Sequence, residues 1–245
     1  MIRLRMRKRH NLLPRMECCR EYLIEDPARL RGAWRFPGRP LLLEIGCGKG
    51  SFTCALAADE TDADVVAIEK VPDAMILAME KAKAGGLRNV RFLDFDAAGL
   101  RSVFAPGEVD RIYINFCDPW PKSRDAKHRL TAPGFLRLYA DALAMGGTLC
   151  FKTDNLPLFR WSLDRFREEG WDLINVSEDL HADGRVGILT DYERRFLQQG
   201  IPIRHLIAEK TARTLTGEAG EPPRLRNAAL SDARGVILAG EEKKP

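Results

Sequence analysis

The sequence lacks any run of about eighteen uncharged apolar residues, the length that a membrane-spanning helix requires. Its Arg-rich start also lacks the apolar segment of a signal peptide. The six cysteines have neither the spacing of a zinc site nor the framework of a small disulfide-rich domain. We therefore expect no membrane contact, no metal site and a cytoplasmic location in a reducing compartment. The same Arg-rich, acid-free start is compatible with a mitochondrial presequence.

Strong net charge is also absent, since the formal total over 245 residues is only +4. The cations are nevertheless unevenly placed: the first sixteen residues contain several Arg and Lys and no acid, and a second basic cluster follows Trp120. Two such clusters on either side of a cleft would suit a polyphosphate partner.

The composition describes one globular α/β domain with extensions, because 45% of the residues are hydrophobic and 30% are charged. Residues 1–40 are basic and interrupted by prolines, which predicts a basic N-terminal arm with a short helix around residues 16–23. Residues 41–210 form the expected domain. Residues 211–245 are rich in Gly, Pro, Glu and Lys, and we expect a loosely ordered tail.

Seven short apolar runs in the domain are expected to be strands, at residues 41–45, 65–68, 90–93, 112–114, 148–151, 172–177 and 204–210. Segments with helical spacing separate them, at residues 51–58, 72–84, 135–145 and 158–169. Alternation of this kind predicts a Rossmann-like α/β fold with a seven-stranded, mostly parallel sheet.

A glycine turn follows the first expected strand, with Gly46, Gly48 and Gly50 at alternate positions after Glu44. A dinucleotide site prefers the longer spacing G-x-G-x-x-G, which leaves room for a diphosphate. Glu44 would repel a diphosphate and attract a cationic ligand. The turn therefore favours S-adenosylmethionine over NAD, and a tight structural turn remains the alternative.

Two further acids end neighbouring expected strands. Glu69 follows the second strand about twenty residues after the glycines, where a carboxylate can accept both hydroxyls of a ribose. Asp96 follows the third strand and could accept a hydrogen bond from an adenine amino group. Both positions are consistent with an adenosine-containing ligand.

A third acid, Asp118, lies where the fourth expected strand ends at Pro119 and Pro121, which cannot donate to a sheet. Ligands bind at such strand ends in open α/β sheets. Trp120 follows and could stack on a base or pack within its loop. Four cations follow in turn, and we expect them to contact phosphates: Lys122, Arg124, Lys127 and Arg129.

In combination, these motifs resemble the tRNA (guanine-N7-)-methyltransferase family. The resemblance spans roughly residues 40–210 and is carried by four segments in one order: Glu44-Ile45-Gly46-Cys47-Gly48-Lys49-Gly50, Asn115-Phe116-Cys117-Asp118-Pro119-Trp120-Pro121-Lys122, Lys152-Thr153-Asp154 and Thr190-Asp191-Tyr192-Glu193. The chain departs from the family pattern at Cys117, where the family commonly has Pro and the turn before Asp118 is therefore looser. It also departs at Ser123, Asp125 and His128, which weaken the charge of the RNA-facing segment.

The resemblance implies a class I methyltransferase that transfers a methyl group from S-adenosylmethionine to N7 of guanine 46 in the tRNA variable loop, without a metal. It implies donor contacts through Glu44, the glycine turn, Glu69, Asp96 and Asp118. It also implies RNA contacts through Lys122, the basic segment from Arg124 to Arg129, Asp154, Thr190, Asp191, Tyr192 and Glu193.

Guanine N7 carries no proton, so its methylation needs no general base. The reaction instead needs alignment of donor and acceptor and negative charge near the purine cation that develops. Asp118 fits that role as the expected catalytic residue. Thr190 and Glu193 also match a helix capping box, which is compatible with a role in RNA binding.

Other functions remain open at this point. A methyltransferase for a protein or small molecule would not need the basic segments, and a non-catalytic RNA-binding relative would not need Glu44, the glycines and Asp118. An NAD-dependent oxidoreductase is disfavoured by the glycine spacing. The sequence is compatible with a monomer or a homodimer.

Overall fold

The computed structural model describes residues 11–34, 38–182, 185–216 and 236–238. The first ten residues of the expected arm and most of the expected tail lie outside the described residues. No helix in the described part of the chain is both long and apolar enough to cross a membrane.

The described strands are β1 Leu41–Ile45, β2 Asp64–Glu69, β3 Val90–Asp94, β4 Val109–Asn115, β5 Leu143–Thr153, β6 Asp172–Ser177, β7 Arg185–Gly187, β8 Arg204–Glu209 and β9 Val236–Leu238. The described α-helices are α1 Leu12–Cys18, α2 Ser51–Asp59, α3 Pro72–Ala84, α4 Leu100–Val103, α5 Pro133–Ala142, α6 Leu156–Glu168, α7 Asp191–Gln198 and α8 Ala212–Thr216.

Seven strands form one sheet in the order β3-β2-β1-β4-β5-β8-β6, which confirms the predicted strand number. β2 pairs in parallel with β1 and with β3. β8, the last of these seven strands in the sequence, lies between β5 and β6 and is antiparallel to both. The sheet is therefore mixed, and its antiparallel part is at the end formed late in the chain.

The chain folds as two compact units, of which unit 1 contains residues 1–113 and 138–147. All five residues of β1 are buried, as are six residues of α3, so apolar burial forms its core. Part of the N-terminal segment also packs here: Arg15 forms two hydrogen bonds of 2.7 Å with Glu80, and the Glu108 carboxylate accepts the backbone N–H groups of Gly32 and Trp34.

Unit 2 contains residues 114–137 and 148–245. Its core includes Phe151 of β5 and Phe159 and Phe166 of α6, none of which is exposed. Gly170 ends the turn after α6 with a φ of +73°, and the N–H of Trp171 donates to the carbonyl of Phe166. Unit 2 therefore has an apolar core of its own.

One helix ends earlier than predicted. The helical spacing of residues 135–145 predicts a helix up to the glycine pair, but α5 ends at Ala142 and β5 begins at Leu143. A Cβ on Gly147 would lie 2.8 Å from the carbonyl oxygen of Ala144 and 3.1 Å from that of Asp110. This close approach of backbone segments explains the glycine at 147, which is part of the strand and does not mark the helix end.

Candidate active site

The glycine turn joins β1 to α2 in unit 1, and all three of its glycines have positive φ angles, of 78°, 56° and 73°. A Cβ on Gly50 would lie 2.3 Å from the Cβ of Ala78, so a side chain is excluded there by α3. A Cβ on Gly46 or Gly48 would meet no atom within 4 Å. The turn therefore has one glycine that allows close packing and two that leave open space for a ligand.

Glu69 fixes the glycine turn to the end of β2. Its Oε2 accepts the N–H of Gly48 and its Oε1 accepts the N–H of Val71, each at 2.9 Å. The N–H of Gly46 also donates to the carbonyl of Ile68 at 2.8 Å. A carboxylate with two backbone donors is held in one position, which suits a residue that must recognise a pair of hydroxyls.

Glu44 lies in β1, just before the turn, and is 2% exposed. The hydroxyl of Thr53, in the first turn of α2, donates to its Oε2. Burial raises the pKa of the nearby Cys47 thiol well above its ordinary value, and the charges of Glu44 and Glu69 add to that rise. The turn therefore carries concentrated negative charge, which suits a cationic ligand.

Asp96 follows β3 and is exposed. Its Oδ1 accepts the N–H of Ala98 at 2.9 Å and caps a 3-10 helix formed by Ala97–Gly99. The predicted donor residues Glu44, Glu69 and Asp96 thus lie at the carboxyl ends of three neighbouring strands, β1, β2 and β3.

The Asp118 loop, residues 116–122, follows β4 in unit 2. Phe116 and Trp120 have φ angles of 52° and 43°, in the left-handed region that non-glycine residues rarely adopt. The N–H of Phe116 donates to the carbonyl of Lys152 at 2.9 Å. Asp118 itself is exposed, so a fixed loop presents a carboxylate to solvent.

Arg129 holds this loop from the other side. Its Nε donates to the carbonyl of Pro119 at 3.0 Å, and its Nη2 donates to that of Trp120 at 2.9 Å. Its guanidinium lies 4.4 Å from the ring centroid of Trp161, and burial lowers its pKa. Its expected contact with phosphate stays a prediction, beside this local role in loop geometry.

Cys117, next to Asp118, carries a protonated thiol. Burial, with a further contribution from the Asp118 charge, raises its pKa to about 12. Because the thiolate is the nucleophilic form, Cys117 is a packing residue and not a nucleophile at neutral pH.

The other three predicted phosphate contacts, Lys122, Arg124 and Lys127, are exposed. A 3-10 helix formed by Ser123–His128 carries two of them. Trp120 is half-buried, with its ring centroid 5.2 Å from that of His128. This contact supports the packing interpretation of Trp120.

The predicted capping box at the start of α7 is present. Thr190 Oγ1 accepts the N–H of Glu193 at 3.0 Å, and Glu193 Oε2 accepts the N–H of Thr190 at 3.2 Å. The Glu193 carboxylate is completely buried and pairs with Lys152 Nζ at 3.2 Å. His181 Nε2 lies 3.2 Å from the same carboxylate. Asp191 and Tyr192 between the two capping residues are exposed.

Asp154 directly follows β5, as predicted, and its side chain is half-buried. Its carbonyl accepts a hydrogen bond of 2.7 Å from Arg204 Nη1. Sequence reasoning missed the partners that hold the predicted residues: Thr53, Trp161 and Arg204, and Lys152 as the partner of Glu193. Only Thr53 had a signal, a hydroxyl in the first turn of the helix after the glycines.

The architecture is that of the class I methyltransferases. The 16S rRNA methyltransferase KamB matches with a TM-score of 0.55 and 18% identity, covering 75% of this chain and 91% of that one. TrmN from Thermus thermophilus matches with a TM-score of 0.51 and 25% identity, covering 76% of this chain and 47% of that one. The [4+2]-cyclase SpnF has a TM-score of 0.51 and 18% identity, so the fold alone does not define the reaction.

Sequence comparison defines the family. A family model described as "Putative methyltransferase" matches residues 38–206. The tRNA (guanine-N(7)-)-methyltransferase of Lachnoclostridium phytofermentans is 42% identical over 193 residues, which are 77% of this chain and 90% of that protein. The enzyme of the same name from Bacillus subtilis is 42% identical over 184 residues, which are 74% of this chain and 86% of that protein. The chain belongs to the tRNA (guanine-N7-)-methyltransferase family.

Proposed function

We propose that this protein transfers the methyl group of S-adenosylmethionine to N7 of a guanine in tRNA, and that the guanine is position 46 of the variable loop. Similarity to tRNA (guanine-N7-)-methyltransferases over most of the chain carries this proposal. The four segments that carry the resemblance all lie within the described residues of the two units. A cytoplasmic location and a monomeric or homodimeric state accompany the proposal.

The donor side of the proposal is the glycine turn and its three acids. Open space at Gly46 and Gly48 lets backbone and ligand approach, and buried Glu44 adds negative charge for a cationic amino-acid group or sulfonium. Glu69 would accept ribose hydroxyls and Asp96 an adenine amino group. When bound, S-adenosylmethionine supplies an electrophilic methyl group.

The chemical step requires little proton transfer. Guanine N7 attacks through its lone pair, the bond from sulfur to the methyl carbon breaks, and the base becomes cationic as the sulfonium becomes a thioether. We assign Asp118 to stabilise that developing cation by its charge, because its carboxylate is exposed on a fixed loop.

The substrate side combines charge with shape. Lys122, Arg124 and Lys127 would contact phosphates, a contribution that weakens as salt rises. Asp154 would accept hydrogen bonds from N1 and N2 of the guanine. Buried Glu193 would contribute to RNA binding indirectly, by holding the start of α7 in place.

The proposal is tested with the full chain, radiolabelled methyl donor and an unmodified tRNA transcript, followed by mapping of the modified base. We expect one N7-methylguanine, at position 46, and no product from a transcript with adenine there. A methylated exocyclic amine, or a methylated protein or small molecule instead of tRNA, would overturn it. Binding of tRNA without any transfer would favour a non-catalytic relative.

A further inference from the structure

Helix α6 carries an indole ring that contacts the Arg129 side chain. The ring centroid of Trp161 lies 4.4 Å from the guanidinium carbon of Arg129 and 5.6 Å from that of Arg165. A guanidinium group is attracted to the face of an indole because that face carries negative electrostatic potential. Trp161 lies outside the four segments that carry the family resemblance, so its place beside Arg129 needs a separate explanation.

The hydrogen bonds of the Arg129 side chain are with the Asp118 loop. Its Nε donates to the carbonyls of Pro119 and Trp120, at 3.0 and 3.2 Å, and its Nη2 donates to that of Trp120 at 2.9 Å. One edge of the guanidinium therefore binds two successive carbonyls while its charge lies over the Trp161 ring. These carbonyls belong to the two residues that follow Asp118, so the guanidinium fixes the backbone beside that carboxylate.

The carbonyl that accepts two of these hydrogen bonds belongs to a residue with an unfavourable backbone conformation. Trp120 has a φ of 43°, in the left-handed region that bulky residues disfavour. Such a conformation persists where the surrounding contacts hold it. Among the described residues the acceptors of Arg129 are carbonyls, so this cation holds the loop without taking the Asp118 carboxylate as its partner.

The next residue of α6 makes a second contact with the segment that carries Arg129. Ser162 and Thr131 are completely buried, and their hydroxyl oxygens are 2.7 Å apart. Ser162 also donates to the carbonyl of Leu158, one turn earlier in α6. Two successive residues of this helix, 161 and 162, therefore contact residues 129 and 131, and the core of unit 2 fixes the helix behind them.

We propose that Trp161 is a positioning residue for the methyl transfer and that it acts through Arg129. The indole holds the guanidinium, the guanidinium holds the carbonyls of Pro119 and Trp120, and the Asp118 carboxylate is thereby kept near the purine that becomes cationic. This inference rests on the proposed function, because the reaction is what requires a fixed position of Asp118. It assigns Arg129 to the loop in place of the phosphate contact predicted for it.

The test compares Trp161→Phe and Trp161→Leu in the full chain, because the first keeps an aromatic face and the second removes it. Single-turnover methylation of an unmodified tRNA transcript should slow about tenfold in Trp161→Leu and at most about threefold in Trp161→Phe, since displacing an aligned group strongly affects the rate. The Kd values for tRNA and S-adenosylhomocysteine should stay within about twofold, as expected for an effect on the transition state.

The matched control is Arg165→Met. Arg165 lies near the same indole ring, but its side-chain hydrogen bond is with Glu168 and not with the loop. We therefore expect its removal to leave the rate of methylation unchanged.

A second variant separates positioning from phosphate binding. Arg129→Gln removes the charge and the planar donor group, so we expect it to slow methylation at least as much as Trp161→Leu. The slope of log affinity for tRNA against log salt should not change. A slope shallower by about 0.7 to 0.9 would identify a lost phosphate contact and overturn the assignment of Arg129 to the loop.

A double variant separates positioning from a general loss of stability. In an Asp118→Ala background, Trp161→Leu should cause no further loss of rate, because no carboxylate remains to be positioned. If Trp161→Leu does not fold, Arg129→Gln takes its place in both backgrounds.

The outcomes separate the two proposals. If the unchanged protein methylates guanine N7 and Trp161→Leu matches Arg165→Met in rate, the positioning role is refuted and the proposed function survives. If Trp161→Leu slows the Asp118→Ala variant by the same factor as the unchanged protein, its effect does not depend on Asp118 and the positioning role is equally refuted. If the unchanged protein does not methylate tRNA, the proposed function itself fails.

Discussion

The two units hold their candidate site residues in different ways. In unit 1, Asp96 accepts the N–H of Ala98, and Glu69 accepts that of Val71 together with that of Gly48 in the glycine turn. Glu44 accepts a hydroxyl of the next helix. In unit 2, Asp118 and Tyr192 reach solvent, and buried residues distant in sequence hold the segments that carry them. The hydrogen-bonded turn of unit 1 suits a small methyl donor. The exposed segments of unit 2, held in place by buried residues, suit a large RNA.

The largest effect is expected where the support of unit 2 is broken. Lys152→Met leaves the buried Glu193 carboxylate without its ammonium partner, so we expect the free energy of unfolding to fall by about 3–5 kcal/mol. Chemical denaturation measures the change. Arg160→Met, which removes an exposed ion pair with Glu178, should cost at most about 1 kcal/mol.

A double variant sharpens that test. Lys152→Met with Glu193→Gln removes both charges, and we expect it to recover part of the lost stability. If the single variant is as stable as the unchanged protein, the buried pair is not what supports α7.

The next effect concerns the exposed carboxylate of unit 2. Asp118→Ala should lower kcat for tRNA methylation by about 100- to 1000-fold, because negative charge near the developing purine cation is lost. Single-turnover assays measure the step, and Kd values for tRNA and donor should change little. The matched control is Asp125→Ala, which removes another acid of the same segment; near-normal turnover of the Asp118 variant would refute the assignment.

A smaller effect is expected in unit 1. Glu69→Gln keeps one acceptor but loses the charge and one of two backbone contacts, so the Kd for S-adenosylhomocysteine should rise about tenfold or more. Calorimetry measures it, with Asp62→Asn, an exposed acid of the same unit, as control. An equal loss of tRNA affinity would contradict the assignment of donor binding to unit 1 and of RNA binding to unit 2.

The smallest effect concerns surface charge in unit 2. Replacing Lys122 and Arg124 by Ala should make the plot of log affinity for tRNA against log salt shallower by about 1.4 to 1.8, as expected for two lost phosphate contacts. Filter binding at several salt concentrations measures the slope. Substitution of Arg88 and Arg101, exposed cations of unit 1, should leave the slope unchanged. An unaltered slope in the variant without Lys122 and Arg124 would show that RNA phosphates bind elsewhere on the protein.

Local patterns in the sequence are sufficient to predict much of the fold. The predicted strand at residues 172–177 matches β6, and the predicted helix at residues 72–84 matches α3 with Pro72 in its first turn. The N-terminal helix was predicted around residues 16–23, after its true start, because Pro14 was expected to interrupt a helix. The helix instead begins at Leu12, since proline is tolerated in a first turn.

The supporting contacts could not be predicted because they join residues far apart in sequence. Lys152 and Glu193 are separated by 41 positions, and no local pattern of either segment indicates the other. Arg129 likewise looks like one more phosphate contact in the sequence, whereas the structure gives it two loop carbonyls and the Trp161 ring. The motifs were sufficient to predict which residues form the candidate site, whereas the contacts between those residues could be identified only from the fold.

The left-handed backbone at Phe116 and Trp120 has a consequence for protein engineering. Each such residue carries a conformational penalty of about 1–2 kcal/mol that glycine would remove. A search for heat-resistant variants would nevertheless not select glycine here, because it would remove the ring contacts of Phe116 with Tyr192 and Phe196 and that of Trp120 with His128. The two bulky side chains therefore keep the loop around Asp118 in a conformation that its backbone alone would not favour.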